Sequence, residues 1–173
     1  MKILSLKTIL LLSIISFFSC KKSSSDSNHD YYVKLKINGN WVTWKIVVGE
    51  IGPDLADATK TDFGVTANND TNTEVFDISI QVDGQNFATG TYDSDNGSYW
   101  VDISYAKALL TANSRYYMIN DKAGLPPSRY LVTVTSITDK ELRGTFTGNY
   151  LYDDFADETL NVTDGEFFVK RAR

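Results

Sequence analysis

The strongest constraint on this chain is a period of two. Val33, Leu35 and Ile37 alternate with Tyr32, Lys34 and Lys36, and Phe76, Ile78, Ile80 and Val82 alternate with Val75, Asp77, Ser79 and Gln81. Successive side chains of an extended strand point to opposite faces, so this pattern describes strands with one apolar and one polar face. Turn chemistry separates the alternating runs. Asn38-Gly39 tolerates the positive φ of a tight hairpin, and Asn68-Asn69-Asp70-Thr71-Asn72, Asp83-Gly84 and Asp139-Lys140 mark further reversals.

Read along the chain, the runs predict Tyr31 to Ile37 paired with Trp41 to Val48, then a loop or one helical turn from Gly49 to Thr61, containing Gly52-Pro53. In the second of these strands Val42, Trp44, Ile46 and Val48 share one face, with Trp41, Thr43 and Lys45 on the other. Phe63 to Ala67 is a short strand. Tyr99, Val101, Ile103 and Tyr105 mark another, and Ala106 to Asn113 reads as a helical turn or a loop before a short strand at Arg115 to Ile119. Tyr130 to Ile137 and Leu142 to Tyr152 form a regular pair, an acidic loop covers Asp153 to Thr159, and Leu160 to Lys170 closes the chain with Phe167 and Val169 on one face. The expectation is a single all-β domain over residues 31–173, an antiparallel β-sandwich or barrel-like fold of about eight or nine strands.

The first thirty residues do not fit that pattern. Lys2 and Lys7 precede the apolar run Ile9 to Phe18, which is followed by Ser19, Cys20 and the polar stretch Lys21 to Asp30. A bilayer-spanning helix needs roughly 20 apolar residues, so the run reads as an export signal rather than a span. Cys20 directly after a small residue matches a lipobox, in which the thiol is acylated and becomes the new N-terminus. This divides the chain into a signal peptide at 1–19, a lipidated Cys and flexible tether at 20–30, and the β-domain. One acyl chain holds a protein only marginally, whereas two or three hold it durably. The tether reaches roughly 15–20 Å by random-coil scaling. The expected location is the outer membrane, lipid-anchored and facing either the periplasm or the cell surface. Removing Lys2 and Lys7 takes the formal charge from −5 to −7.

The order of several landmarks resembles a family of small Bacteroidota lipoproteins with a β-domain of unknown function. The landmarks are Phe17-Phe18-Ser19-Cys20-Lys21-Lys22, Ile37-Asn38-Gly39-Asn40-Trp41, Gly90-Thr91-Tyr92, Leu142 to Gly148, and Val162-Thr163-Asp164-Gly165-Glu166-Phe167. The resemblance implies an envelope location and this fold class, and it implies no catalytic residue.

Composition narrows the chemistry. Cys20 is the one cysteine, and with its thiol acylated neither a disulfide nor a thiolate nucleophile remains. His29 is the one histidine and lies in the tether, which excludes a Ser-His-Asp arrangement and His-rich zinc ligation in the domain. The acidic balance argues against nucleic acid as a partner, since neutralising phosphates takes clustered Lys and Arg. No cofactor is implied. Two acidic groupings bring carboxylates together. Asp153, Asp154, Asp157 and Glu158 share one loop, and glycosidases work with two carboxyls about 5–9.5 Å apart. Asp93-Ser94-Asp95-Asn96-Gly97 resembles the start of a calcium loop, but Gly97 stands at its fifth position and Ser104 at its twelfth. Both read better as connections, the second as a hairpin turn. The remaining lead is aromatic. Trp41 and Trp100 fall on the faces opposite the aliphatic ones, so they are the candidate contacts for a glycan or an envelope-protein partner. Trp44 belongs to the core. The expected function is a lipid-anchored, non-enzymatic binding or structural domain of the cell envelope. Its alternatives are a carbohydrate- or other ligand-binding lipoprotein and a carboxylate-dependent enzyme.

Overall fold

The computed structural model describes residues 30–119, 126–153, 155 and 157–172. The signal peptide, Cys20 and most of the tether lie outside the described residues, as does Asp154. The described chain is all-β, with twelve strands and no α-helix. In chain order they are β1 (Tyr32–Ile37), β2 (Asn40–Trp44), β3 (Ile46–Pro53), β4 (Lys60–Asn68), β5 (Glu74–Asp83), β6 (Gly90–Asp93), β7 (Tyr99–Lys107), β8 (Arg115–Met118), β9 (Tyr130–Ile137), β10 (Glu141–Gly148), β11 (Tyr150–Asp153) and β12 (Glu158–Lys170).

Every strand pairing is antiparallel, and the strands form one large sheet that does not close on itself. The hydrogen-bonded path runs β3-β4-β5-β7-β8-β11-β12-β10-β9-β6, and β1 joins β12 with β2 outside it. The organising element is a long hairpin. β10 and β11 run consecutively along β12, from Glu141 opposite Lys170 to Asp153 opposite Glu158. Half-way along, the alternation slips. Phe167 and Val169 are buried, yet so are Val162 and Leu160, which have the other parity. Asp164 takes the slip with φ 38, and β1 shifts register beside it between Lys34 and Lys36. Bulges of this kind re-aim a strand and let a sheet turn a corner. The hairpin therefore leaves one wing of the sheet (β2-β1-β12-β10-β9-β6) and enters the other (β3-β4-β5-β7-β8-β11).

The two wings bury their apolar faces against each other. Trp44 of β2 stacks on Phe76 of β5 at 5.8 Å between centroids, and Phe76 stacks on Phe146 of β10 at 5.3 Å. Phe63 of β4 meets Phe167 of β12 at 5.9 Å, and Phe87 bridges Phe63 to Tyr92 of β6 at 4.8 Å on each side. These rings sit over glycines. Gly144 faces Phe167, and Gly165 faces Phe146, across the β10–β12 ladder. A methyl group at Gly144 would overlap the Phe167 ring and the Thr133 carbonyl oxygen.

Four expectations are corrected here. The strands number twelve rather than eight or nine, because β3, β6 and β11 are separate elements. Trp41 to Val48 is not one strand: the chain breaks at Lys45, so Val47, Gly49 and Ile51 turn inward while Ile46 and Val48 stay exposed. Gly49 to Pro53 is strand and not loop, since its backbone pairs with β4 from Gly49↔Val65 to Pro53↔Thr61. Asp153 is buried at the end of β11 and is not part of a solvated loop. The Asn38-Gly39 turn is as expected, with φ 49 and 80.

Candidate functional site

Trp41 and Trp100 are both half-exposed, at 52% and 55%, and Trp44 is buried. The two exposed indoles do not meet. Trp41 lies on the outer face of the β1–β2 hairpin, with the Lys34 and Lys36 ammonium groups over its ring at 4.4 and 5.0 Å. Lys36 is in turn paired with Asp164 at 3.0 Å. An exposed cation–π contact contributes about 0.5–1 kcal/mol, so Trp41→Ala is expected to lower stability by no more than about 1 kcal/mol, checked by urea denaturation. Trp100 lies on the outer face of the other wing, and its surroundings differ.

On that face β4, β5 and β7 present a grid of polar side chains fixed by register. Trp100 stands opposite Gln81, which stands opposite Asp62. One step along, Asp102 faces Ser79, which faces Gly64. One step further, Ser104 faces Asp77, which faces Thr66. Ser79 and Gly64 make a low floor. Glu50 of β3 leans over Gly64, its Cγ 3.3 Å from where a Cβ would stand. Trp100 and Asp102 are alternate residues of one strand, hence about 7 Å apart on one face. The result is a polar sheet face with an indole on one side and carboxylates around the small residues Ser79 and Gly64.

Hydrogen bonds hold part of this grid rigid. The Gln81 amide donates to Asp54 Oδ2 at 2.5 Å and to Asp62 Oδ1 at 3.0 Å, and its Oε1 accepts from Lys60 Nζ at 3.2 Å. The Thr66 hydroxyl donates to Asp77 Oδ1 at 2.7 Å. The aspartates at the centre are less well served. Desolvation pushes the Asp77 carboxyl above the usual range, against the pull of the Thr66 hydroxyl. Desolvation does the same to Asp102, opposed by the Ile103 amide and reinforced by the negative charge of Asp77. A carboxyl whose pKa is raised by folding binds more protons folded than unfolded between the two pKa values. Stability is therefore lost as pH rises through the folded pKa. Asp102→Asn is accordingly expected to raise the melting temperature at pH 7 more than at pH 4, measured by thermal denaturation. Half-buried carboxyls that cost stability are common where a surface serves a ligand.

The other acidic groupings are engaged structurally. Asp93 and Asp95 hold Arg129, at 2.6 and 3.1 Å, and the Asp93 side chain also accepts the Asp95 amide at 3.1 Å. The Arg129 hydrogen bond holds the Asp93 carboxyl below its usual range. Asp93 to Gly97 is a turn, but the strands it joins do not pair with each other: β6 pairs with β9 and β7 with β5 and β8. It connects the two wings and is not the hairpin expected. Of the acidic group near residue 155, Asp153 accepts the Tyr116 and Phe155 amides at 3.3 and 2.9 Å, and Glu158 accepts the Tyr117 hydroxyl at 2.7 Å. Among the described residues no three His, Cys, Asp or Glu side chains are placed to hold a metal ion.

Sequence reasoning singled out Trp100 but not its neighbours. Asp77, Ser79 and Gln81 were legible as the polar half of an alternating strand, and nothing in the sequence said that β7 lies beside them. Comparison with protein-family models, with curated proteins and with solved structures returns no match.

Proposed function

We propose that this chain is an envelope lipoprotein whose β-domain is a non-enzymatic binding module, taking a saccharide on the outer face of β4, β5 and β7. The observation that carries the reading is Trp100, an indole half-open to solvent on a polar face, beside a Gln81 side chain already fixed by hydrogen bonds to Asp54 and Asp62. A pyranose has an apolar C–H face and a rim of hydroxyls. The indole offers surface for the first, and Ser79 with the Asp102 and Asp77 carboxylates offers partners for the second. Of these partners Asp77 is already held by the Thr66 hydroxyl, which reduces its share of the ordering cost of binding. Trp41 suits this role less well, because two lysine side chains already cover its ring.

The remaining parts of the proposal rest on the N-terminal residues and on motif order. Acyl chains on Cys20 hold the protein in the outer membrane, facing the periplasm or the surface, and the chain groups with the Bacteroidota lipoproteins it resembles. The two packed wings sharing one hairpin are read as a sandwich-like architecture. Two experiments test these statements. Cys20→Ser is expected to release the protein from the membrane fraction, and retention there would overturn the anchor. On a glycan array, the intact lipoprotein in detergent is expected to bind saccharides that Trp100→Ala loses at unchanged melting temperature. Equal binding by both proteins would overturn the face.

A further inference from the structure

The chain enters the domain on one particular face. The Asp30 carboxylate is 3.9 Å from the Lys45 ammonium, and the Tyr31 ring meets Phe168 edge-on at 4.9 Å. Val33, Leu35, Phe167 and Val169 point into the core, so their strand neighbours Lys34, Lys36, Phe168 and Lys170 lie on the outer face of β1 and β12. Trp41 of β2 and Arg143 of β10 share that face by register, opposite Lys36 and Phe168. The ten residues from Cys20 to His29 span at most about 35 Å in any conformation. An acylated Cys20 therefore keeps this face near its bilayer, with the packed core between the bilayer and the other wing's outer face. The two outer faces also differ in sign. On β1, β2, β10, β12 and the adjoining Lys45, the cations Lys34, Lys36, Lys45, Arg143 and Lys170 outnumber the strand carboxylates Glu141, Asp164 and Glu166. On β3, β4, β5 and β7, Glu50, Asp62, Asp77, Asp83 and Asp102 outnumber Lys60.

We infer that the outer face of β1, β2, β10 and β12 lies against the anionic phospholipid headgroups of the bilayer that holds Cys20, which turns the face of β4, β5 and β7 away from the membrane. This rests on the lipoprotein reading above and adds the domain's orientation to it. Ammonium and guanidinium groups donate to phosphate oxygens, and indole and phenol rings settle at headgroup level. Here cation and ring are presented together. The Lys34 and Lys36 ammonium groups lie over Trp41, and the Arg143 guanidinium lies 3.7 Å from the centre of the Phe168 ring. The chain as a whole is acidic, so an anionic surface repels most of it. The same field that attracts the lysine face pushes the carboxylate face outward, and the acyl chains supply the affinity that charge does not. A site beside Trp100 then stays open to ligand while the protein is anchored.

The test is paramagnetic broadening of the isotope-labelled lipoprotein, purified with its acyl chains and inserted into lipid discs that carry a nitroxide on a trace of their headgroups. One set of discs is phosphatidylcholine alone, and the other adds phosphatidylglycerol. In the anionic discs the Trp41 indole signal is expected to be lost and the Trp100 indole signal retained. In about 1 M salt, where the Debye length is about 3 Å, the Trp41 signal should return. The double variant Lys45→Glu, Lys170→Glu should restore it without added salt, and if that variant fails to fold the salt series reads the same quantity. Equal broadening of the two indoles, or loss of Trp100 with Trp41 retained, overturns the orientation and leaves the anchor standing. Loss of Trp41 that is the same in phosphatidylcholine discs, or that persists in high salt, overturns the role of headgroup charge. A protein that enters neither disc overturns the anchor, and the orientation falls with it.

Discussion

Gly144→Val is expected to leave the chain without a cooperative thermal transition. Gly144 lies in the middle of β10, paired with Phe167 on one side and with Val134 of β9 on the other. The space a side chain would occupy is already filled by the Phe167 ring and by the Thr133 carbonyl oxygen. The ring is itself fixed, because it packs on Phe63 across the core. The carbonyl belongs to a ladder strand and cannot retreat without breaking the sheet. Overpacking a core typically costs about 1–3 kcal/mol when side chains can give way. Here backbone would have to move at the hairpin that both wings share, so the cost is expected at or above the top of that range. Whole domains are stable by only about 5–15 kcal/mol. Circular dichroism on heating checks it, and a melting temperature within a few degrees of the parent protein's would contradict the packing described for β10 and β12.

Phe76→Ala is expected to destabilise by about 3–5 kcal/mol while leaving the fold intact. Phe76 is fully buried and stacks on Trp44 and Phe146, one ring from each of two strands in the opposite wing. Its removal leaves a cavity bounded by large rigid rings, which collapse poorly, and the cavity adds to the lost transfer free energy. At roughly 2–4 °C per kcal/mol for a chain of this size, the melting temperature should fall by about 10 °C. A loss under about 1 kcal/mol by urea denaturation would mean that the two wings do not meet at this ring.

The contrast between these core positions and the outer face of β4, β5 and β7 explains what the sequence could disclose. Strand existence and facing were legible wherever alternation was clean. Phe76, Ile78 and Ile80 share one parity in the sequence and form one buried face of β5. The errors fall where a strand changes faces. At Lys45 the alternation skips, so Ile46 and Val48 look like core and stand in solvent. At Asp164 a bulge shifts the parity of β12, so that Val162 and Phe167, of opposite parity, are both core residues. A period-two reading cannot detect such a slip, because each half is regular by itself. The strand count failed for a related reason. Asn149 interrupts one long run into β10 and β11, and β6 is only four residues long.

The proposed binding face is legible by half. The exposure of Trp100 followed from its position opposite Val101, which is local information. Its juxtaposition with Gln81, and that of Asp102 with Ser79, depends on β7 pairing with β5 across an intervening strand, β6, that crosses to the other wing. Register between strands distant in sequence is set by the whole sheet and leaves no local trace. The same holds for the separation of Trp41 from Trp100. They were equivalent candidates by alternation, and the fold puts them on different wings with opposite electrostatic surroundings, lysines around one and carboxylates beside the other.

The proposed ligand site is the outer face of β4, β5 and β7. A nitrogen–proton correlation titration of the labelled, intact protein with a saccharide bound on the glycan array tests it most directly. The account predicts shifts concentrated at Ser79, Gln81, Asp102 and the Trp100 indole, with the Trp41 indole and the β1–β2 hairpin unmoved. Shifts centred on Trp41, Lys34 and Lys36 with the Trp100 indole unchanged would contradict it.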